Sequence, residues 1–212
     1  LRLRLERTGA EITAAMGDRA QAIERLAELH ARAVAALGEE APEATTILNS
    51  LAILQARMGD PAAGLASMER LLEIHRRVSG PEAAQTLDAL HNMGPMRMMT
   101  GDAEGAIELQ QRVVELRSRQ LGAEHPQTLA ARANLSSFLS DAGRFEESLR
   151  DRVAVIEAQE RVLGAGDRGT LRSKLNLATT QARLGDFPAA LALQAEVLDA
   201  RTRLLGPDHP DT

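Results

Sequence analysis

Gly164-Ala165-Gly166-Asp167-Arg168-Gly169 has the spacing of a Gly-x-Gly-x-x-Gly loop, in which glycines let the backbone close on a pyrophosphate at a helix N-terminus. That chemistry needs a strand before the loop, whereas the residues before Gly164 read as a helix. The segment also aligns with 122–127 and 206–211, so it is assigned as a linker between helices. His125 and His209 precede prolines in that linker, beside Glu124 and Asp208. Two donors in each of two distant linkers fall short of the convergent set a metal requires, and the residue before proline is pushed to extended backbone, which separates one helix from the next. The adjacent carboxylates Glu39-Glu40 and Glu146-Glu147 fall in loops or at helix starts, where negative charge complements the helix dipole. The chain has no Gly-x-Ser-x-Gly elbow, Walker loop, His-Glu-x-x-His pair or Ser-His-Asp arrangement. It is therefore expected to be no enzyme and to hold no cofactor or metal.

What remains is a periodic set of polar residues on periodic elements. Gly17, Gly59, Gly101, Gly143 and Gly185 stand 42 residues apart, so one structural unit is copied along the chain. The linkers Leu121-Gly122-Ala123-Glu124-His125-Pro126, Leu163-Gly164 and Leu205-Gly206-Pro207-Asp208-His209-Pro210 keep the same period. Within a unit, Leu129, Ala133, Leu135, Phe138 and Leu139 follow the i, i+3, i+4 rhythm of a helix that stops at Gly143. Leu149, Val153, Val155, Ile156 and Val162, set among charged residues, give a second amphipathic helix. First helices are predicted near 1–16, 43–58, 85–100, 127–142 and 169–184, and second helices near 19–37, 61–79, 103–121, 145–163 and 187–205. The fold class is all-α: an α-α superhelix, or solenoid, of about five antiparallel pairs. The domain reading is a single array with repeats at about 1–42, 43–84, 85–126, 127–168 and 169–212.

Composition narrows the partners. The chain has 212 residues, 44% hydrophobic, with a net charge of -5, and Lys174 is its only lysine. A chain without a concentrated basic surface or aromatic stacking platforms is a poor match to nucleic acid. No apolar run is long enough to cross a bilayer, so no membrane partner is expected. The absence of cysteine points to the cytoplasm, and the Arg-for-Lys, Ala-rich bias to a bacterial genome. Phe138, Phe145 and Phe187 are the only aromatics, so aliphatic contacts must fill the interior.

The triplets Asn92-Met93-Gly94, Asn134-Leu135-Ser136 and Asn176-Leu177-Ala178, each followed by a glycine closing the helix, resemble the tetratricopeptide repeat. Ala52, Gly94, Ser136 and Ala178 supply the small residue that lets paired helices approach. The 42-residue period and the Leu-Gly-x-x-His-Pro-x-Thr linker are similar to the kinesin light chain variety. The resemblance covers nearly all of the chain and is poorest in the first unit, where Thr8-Gly9-Ala10 replaces the triplet.

That resemblance implies a right-handed superhelix whose first helices line a concave groove for extended peptides, and it nominates Asn49, Arg57, His91, Asn92, Met98, Asn134, Ser137, Asp141, Arg172, Asn176, Thr179 and Arg183 as peptide-binding residues. Asn92, Asn134 and Asn176 form a 42-residue ladder. Its amides could grip a main chain, since each both donates and accepts, or each could stabilise its own repeat. Arg57, Arg97, Arg132, Arg172, Lys174 and Arg183 outnumber the carboxylates of the first helices, so a protein or peptide partner with acidic segments is expected. The partial set Arg172, Asn134 and Asn176 does not complete a chaperone-binding carboxylate clamp. Pro95 within a helix is either a kink filled by Met side chains or a device that reshapes the groove, with Met98 and Met99 as a soft patch. The start without Met and the end in mid-motif suggest a piece of a longer protein. The leading function is thus a non-catalytic interaction scaffold. The alternative is a regulatory array docking on a signalling ATPase or caspase-like protease domain outside this segment.

Overall fold

Glycine and proline punctuate the chain into helices of nearly constant length. The computed structural model describes residues 3, 6–10 and 19–210. Residues 6–10 are helical, followed by α1 (Arg19–Leu37), α2 (Pro42–Arg57), α3 (Pro61–Val78), α4 (Ala84–Met99), α5 (Ala103–Leu121), α6 (Pro126–Asp141), α7 (Phe145–Val162), α8 (Arg168–Arg183) and α9 (Phe187–Leu205). Among the described residues there is no strand, and the bounds fall within about a residue of those the sequence predicts. The chain is all-α, of the α-α solenoid class, as expected.

Each helix stop is a left-handed glycine. Gly143 closes α6 at φ 80°, a conformation that an L side chain resists. Two interleaved ladders share it, Gly59, Gly101, Gly143 and Gly185 after first helices and Gly38, Gly80, Gly122, Gly164 and Gly206 after second helices. Gly17 lies outside the described residues. Helix starts are set by capping: Asp60, Asp102 and Asp186 accept from backbone N–H groups of α3, α5 and α9, and Pro42, Pro61 and Pro126 occupy first-turn positions where a missing N–H costs nothing.

Helix pairing rests on small residues facing each other. Ala10, Ala52, Gly94, Ser136 and Ala178 on the first helices are all buried, as are Ala22, Gly64, Ala106, Ser148 and Ala190 at a second 42-residue register on the following helices. A Cβ added at Gly64 would stand 2.7 Å from the Ala52 carbonyl oxygen and 2.9 Å from Ala56 Cβ, so α2 and α3 cross in near backbone contact. At the equivalent crossing Ser148 Oγ donates to the Ser136 carbonyl at 2.6 Å.

Packing divides the chain into two compact units, Leu1–Ala106 and Ile107–Thr212, with the boundary inside α5. In the first, α1 packs on α2, α2 on α3, α3 on α4, and the first helices α2 and α4 touch directly. Its interior is apolar, built on Leu26, Ile47, Met68, Leu71 and Leu87. In the second, α6 packs on α7, α7 on α8, α8 on α9, and α6 touches α8. Its interior mixes Leu129, Phe138, Val155 and Leu177 with buried Gln110, Arg117, Arg152, Gln159 and Lys174. Pro95 is exposed inside α4, and the helix runs on through it to Met99; Met93 and Met96 are buried, Met98 is half-buried and Met99 exposed. No described helix is long and apolar enough to cross a membrane.

Candidate functional site

Because α2 and α4 lie side by side over the end of α3, their N-terminal halves leave an open cleft of about 580 Å³. Thr45, Thr46 and Asn49 come from α2, Asp88, His91 and Asn92 from α4, and Ile74, His75 and Val78 from α3. A smaller cleft of about 240 Å³ adjoins it across Pro42 and Thr46 and is lined on its far side by Leu3 and Arg7. Unit 1 thus carries a run of hollows along its first helices.

The larger cleft brings together three nominated residues. Asn92 Nδ2 donates to Asn49 Oδ1 at 3.4 Å, so the amide rung runs diagonally, to a residue 43 positions back rather than 42. Arg7 donates to Ser50 Oγ at 3.3 Å with the same offset. His91 is half-buried beside the rung. Burial lowers the pKa of His75 on the cleft wall, against the opposing field of Asp88, so its imidazole is neutral at pH 7. The surface offers amides, hydroxyls, imidazoles and the carboxylates of Glu40 and Asp88: donors and acceptors for a main chain.

Three repeats further on, the same register forms a cleft of about 680 Å³ in unit 2. Its wall is basic: Arg168, Arg172 and Arg201 stand with His209 around Leu171, Leu204 and Leu205. Arg172 is the nominated residue here. The other nominated residues lie apart from these clefts. Asn134 and Asn176 are half-buried on α6 and α8; Ser137 Oγ donates to the Ala133 carbonyl at 3.0 Å; Thr179 Oγ1 donates to the Leu175 carbonyl at 3.1 Å. Asp141, Arg57 and Arg183 are exposed, the last with its guanidinium 5.7 Å from the Phe145 ring centroid, and Met98 is half-buried near the end of α4. None of the twelve is buried.

The first-helix cations divide differently from the sequence expectation of a basic inner wall. Arg132 pairs with Asp151 of α7 at 2.6 Å, and Arg97 with Asp102 at 3.2 Å. Lys174 is only 5% exposed and is held between Glu160 of α7 and Glu196 of α9, both at 2.5 Å. Burial works to lower its pKa, but the two carboxylate hydrogen bonds outweigh it and raise the ammonium above its ordinary value. These three cations are spent within the fold because a first helix faces the flanking second helices as well as the cleft. Arg57, Arg172 and Arg183 stay at the surface.

Sequence reasoning missed Arg152. It comes from α7, is 5% exposed, and donates to Ser148 Oγ at 3.0 Å, the Ser136 carbonyl at 3.3 Å and Ser137 Oγ at 3.2 Å. The register could have found it, since the same column holds Leu26, Met68 and Gln110, all fully buried.

The linker motifs are used structurally. A helix precedes Gly164, and Asp167 Oδ1 accepts from the N–H groups of Gly169 at 2.8 Å and Thr170 at 3.2 Å, so a carboxylate occupies the helix N-terminus that a phosphate would need. His125 Nδ1 accepts from Gln127 N–H at 3.2 Å and caps α6 in the same manner. Among the described residues no three His, Cys, Asp or Glu side chains converge as metal ligands.

Two family models described as tetratricopeptide repeat match the chain, one over residues 45–82 and 170–211, the other over 88–150. No curated protein matches it. Among solved structures it is similar to the nearly identical TPR-like repeats of a Podosopora anserina kinesin light chain, at 22% identity and TM-score 0.77, covering 96% of this chain and 97% of the other. BtubC (BKLC) from P. vanneervenii is similar at 18% identity and TM-score 0.73, over 96% of this chain and 80% of the other. YrrB, described as a TPR protein with an unusual peptide-binding site, is similar at 19% identity and TM-score 0.50, over 94% and 84%. At these identities the likeness establishes the fold.

Proposed function

The chain belongs to the tetratricopeptide repeat family, and we propose that its five repeats form one non-catalytic array that grips an extended peptide, or a segment of a partner protein, along its first helices. The carrying observation is the cleft over α2, α3 and α4, with the Asn49–Asn92 rung on its floor and a second cleft at the same register in unit 2. A main chain presents alternating N–H and C=O groups, and side-chain amides answer both without demanding one sequence. The size of the clefts suits a few residues of ligand each, within the range of small binding pockets. The three arginines of the unit 2 cleft support acidic segments in the partner. The peptide-binding site ascribed to YrrB supports the same class of function. The setting we assign is the cytoplasm of a bacterial cell.

Peptide selection on the full chain, followed by calorimetry, tests this. The double changes Asn49→Ala with Asn92→Ala, and Asn134→Ala with Asn176→Ala, should each weaken a selected peptide about tenfold while leaving helical content intact, since lost hydrogen bonds contribute about 1 kcal/mol each. Unchanged affinity in both would refute the amide grip.

A further inference from the structure

The two large clefts share a register but not a charge, and one linker position carries much of the difference. Glu40 lines the unit 1 cleft, and Gly166, at the same register of its own linker, lines the unit 2 cleft. Glu82 and Glu124 fill that register in the two linkers between, so Gly166 is the exception in a column of carboxylates. Where the carboxylate is present it holds an arginine of the second helix that follows: Glu40 pairs with Arg77 at 2.8 Å and Glu124 with Arg161 at 2.5 Å. Arg203, at the register of Arg77 and Arg161, pairs instead with Asp199 of its own helix at 2.8 Å. The acid that remains in this linker, Asp167, accepts from the backbone N–H groups of Gly169 and Thr170. Asp208 resumes the column one linker later, outside the lining of the cleft.

The cleft that lacks the carboxylate is also the one that gathers cations. Arg168 and Arg172 stand one turn apart on α8, both exposed, and among the described residues neither pairs with a carboxylate. Other cations of unit 2 do: Arg132 holds Asp151, Arg144 holds Glu147 and Lys174 holds Glu160. Like charges at i, i+4 repel, so this pair gains from an anion that joins them. Arg201 adds positive charge from α9, and Leu204, 58% exposed, lies where a Cβ on Gly166 would approach it to 3.2 Å. A carboxylate carries one charge on two oxygens and is filled by a single guanidinium fork. A phosphoryl group carries a charge of about -2 on three oxygens and accepts from two forks at once.

Resting on the reading of the clefts as peptide sites, we propose that the unit 2 cleft takes a phosphorylated side chain of the bound peptide, held by the forks of Arg168 and Arg172, with an aliphatic neighbour of that residue on Leu204. Gly166 makes the site selective, by withholding the carboxylate that would compete for the arginines and repel the phosphoryl group.

Calorimetric titration of the full chain with the acetylated and amidated peptide Ala-Leu-phosphoserine-Leu-Ala, and with its Ser and Glu counterparts, tests this. The phosphopeptide should bind about tenfold or more tighter than the Glu form, and the Ser form weakest. Arg172→Gln should remove most of that preference, and so should Gly166→Glu, which restores the carboxylate of the other linkers. Gly166→Ala adds bulk without charge against the movable end of Leu204 and should retain it, with helical content unchanged in all three variants. Equal affinity for the phosphoserine and Glu forms overturns the proposal and leaves the peptide grip standing, as does a preference that Arg172→Gln and Gly166→Glu both leave intact. Inorganic phosphate that displaces the phosphopeptide at equal concentration would overturn it by giving the cleft to a free phosphate compound. A phosphopeptide that does not bind overturns it too, and the amide grip is then judged on the selected peptides and the asparagine variants.

Discussion

In unit 2 a charged side chain fills a column that unit 1 fills with hydrocarbon, and replacing Arg152 by Met isolates what that charge costs. Its guanidinium hydrogen-bonds to two serine hydroxyls and a carbonyl rather than to a carboxylate. Burial lowers its pKa from the ordinary guanidinium range to about 10, with Asp141 and Asp151 opposing. At about 1.4 kcal/mol per pKa unit that fall disfavours the charged form by roughly 3 kcal/mol at neutral pH. Arg152→Met removes the charge and orphans nothing: the Ser136 carbonyl keeps Ser148 as donor and Ser137 keeps the Ala133 carbonyl. Met68 already sits in this column, fully buried. Allowing for imperfect repacking, the variant should gain about 1–2 kcal/mol, read as a higher urea midpoint and slower hydrogen exchange in α7. The folded chain binds this proton less tightly than the unfolded chain, so wild type regains stability as pH rises above about 10, and the advantage of Met should shrink between pH 9 and pH 11. A variant less stable than wild type at pH 7, or an advantage indifferent to pH, would refute the reasoning.

Gly64→Ala puts a Cβ 2.7 Å from a backbone oxygen, so an overpacking cost of about 1–3 kcal/mol should exceed the gain of about 1 kcal/mol in helix propensity. A urea midpoint at or above wild type would mean that α2 and α3 can separate freely. Gly143→Val forces a β-branched residue to φ 80° and should cost about 1–2 kcal/mol or more, and unaltered melting would show that the turn does not need its left-handed residue. His30 and His75 are held below the ordinary imidazole pKa of 6.5, chiefly by burial, so the unfolded chain takes up protons first and unit 1 should lose stability as pH falls from 7 to 5. A double change to Gln should flatten that loss; an unchanged slope would assign it to other groups.

Helix bounds were legible because their signals are local. A glycine that must be left-handed and a proline that must lead a helix mark an end wherever they stand, which is why α2 to α9 fall within about a residue of expectation. The small-residue crossing was half legible: Ala52, Gly94, Ser136 and Ala178 stood out in the repeat, while their partners Gly64, Ala106, Ser148 and Ala190 emerged only when the second helices were placed against them. The directions of the cations were not legible. A first helix has neighbours on three sides, and a long basic side chain reaches whichever holds a carboxylate. Lys174 therefore turned to Glu160 and Glu196, and Arg132 to Asp151, although sequence position alone would have left either in the cleft. The Asn49–Asn92 rung was not legible either, because the 42-residue ladder of Asn92, Asn134 and Asn176 does not include Asn49.

The division between turn and cleft residues bears on how such a chain could change partners. Glycine turns and small crossing residues fix the pair, and neither group lines the cleft floor, so cleft residues can vary without moving a helix. The two large clefts are an instance: at equivalent registers Pro42, Thr46 and His75 in unit 1 become Arg168, Arg172 and Arg201 in unit 2, and a hydrogen-bonding hollow lined also by Glu40 and Asp88 becomes a cationic one on the same backbone. Exposed charges of this kind act mainly on specificity and association rate, whereas the amide rung, on the proposed function, would act on main-chain affinity. Raising salt should therefore weaken peptides selected on Arg168 and Arg172 more than those selected on Asn49 and Asn92, and equal salt dependence for the two sets would show that the clefts do not divide the labour in this way.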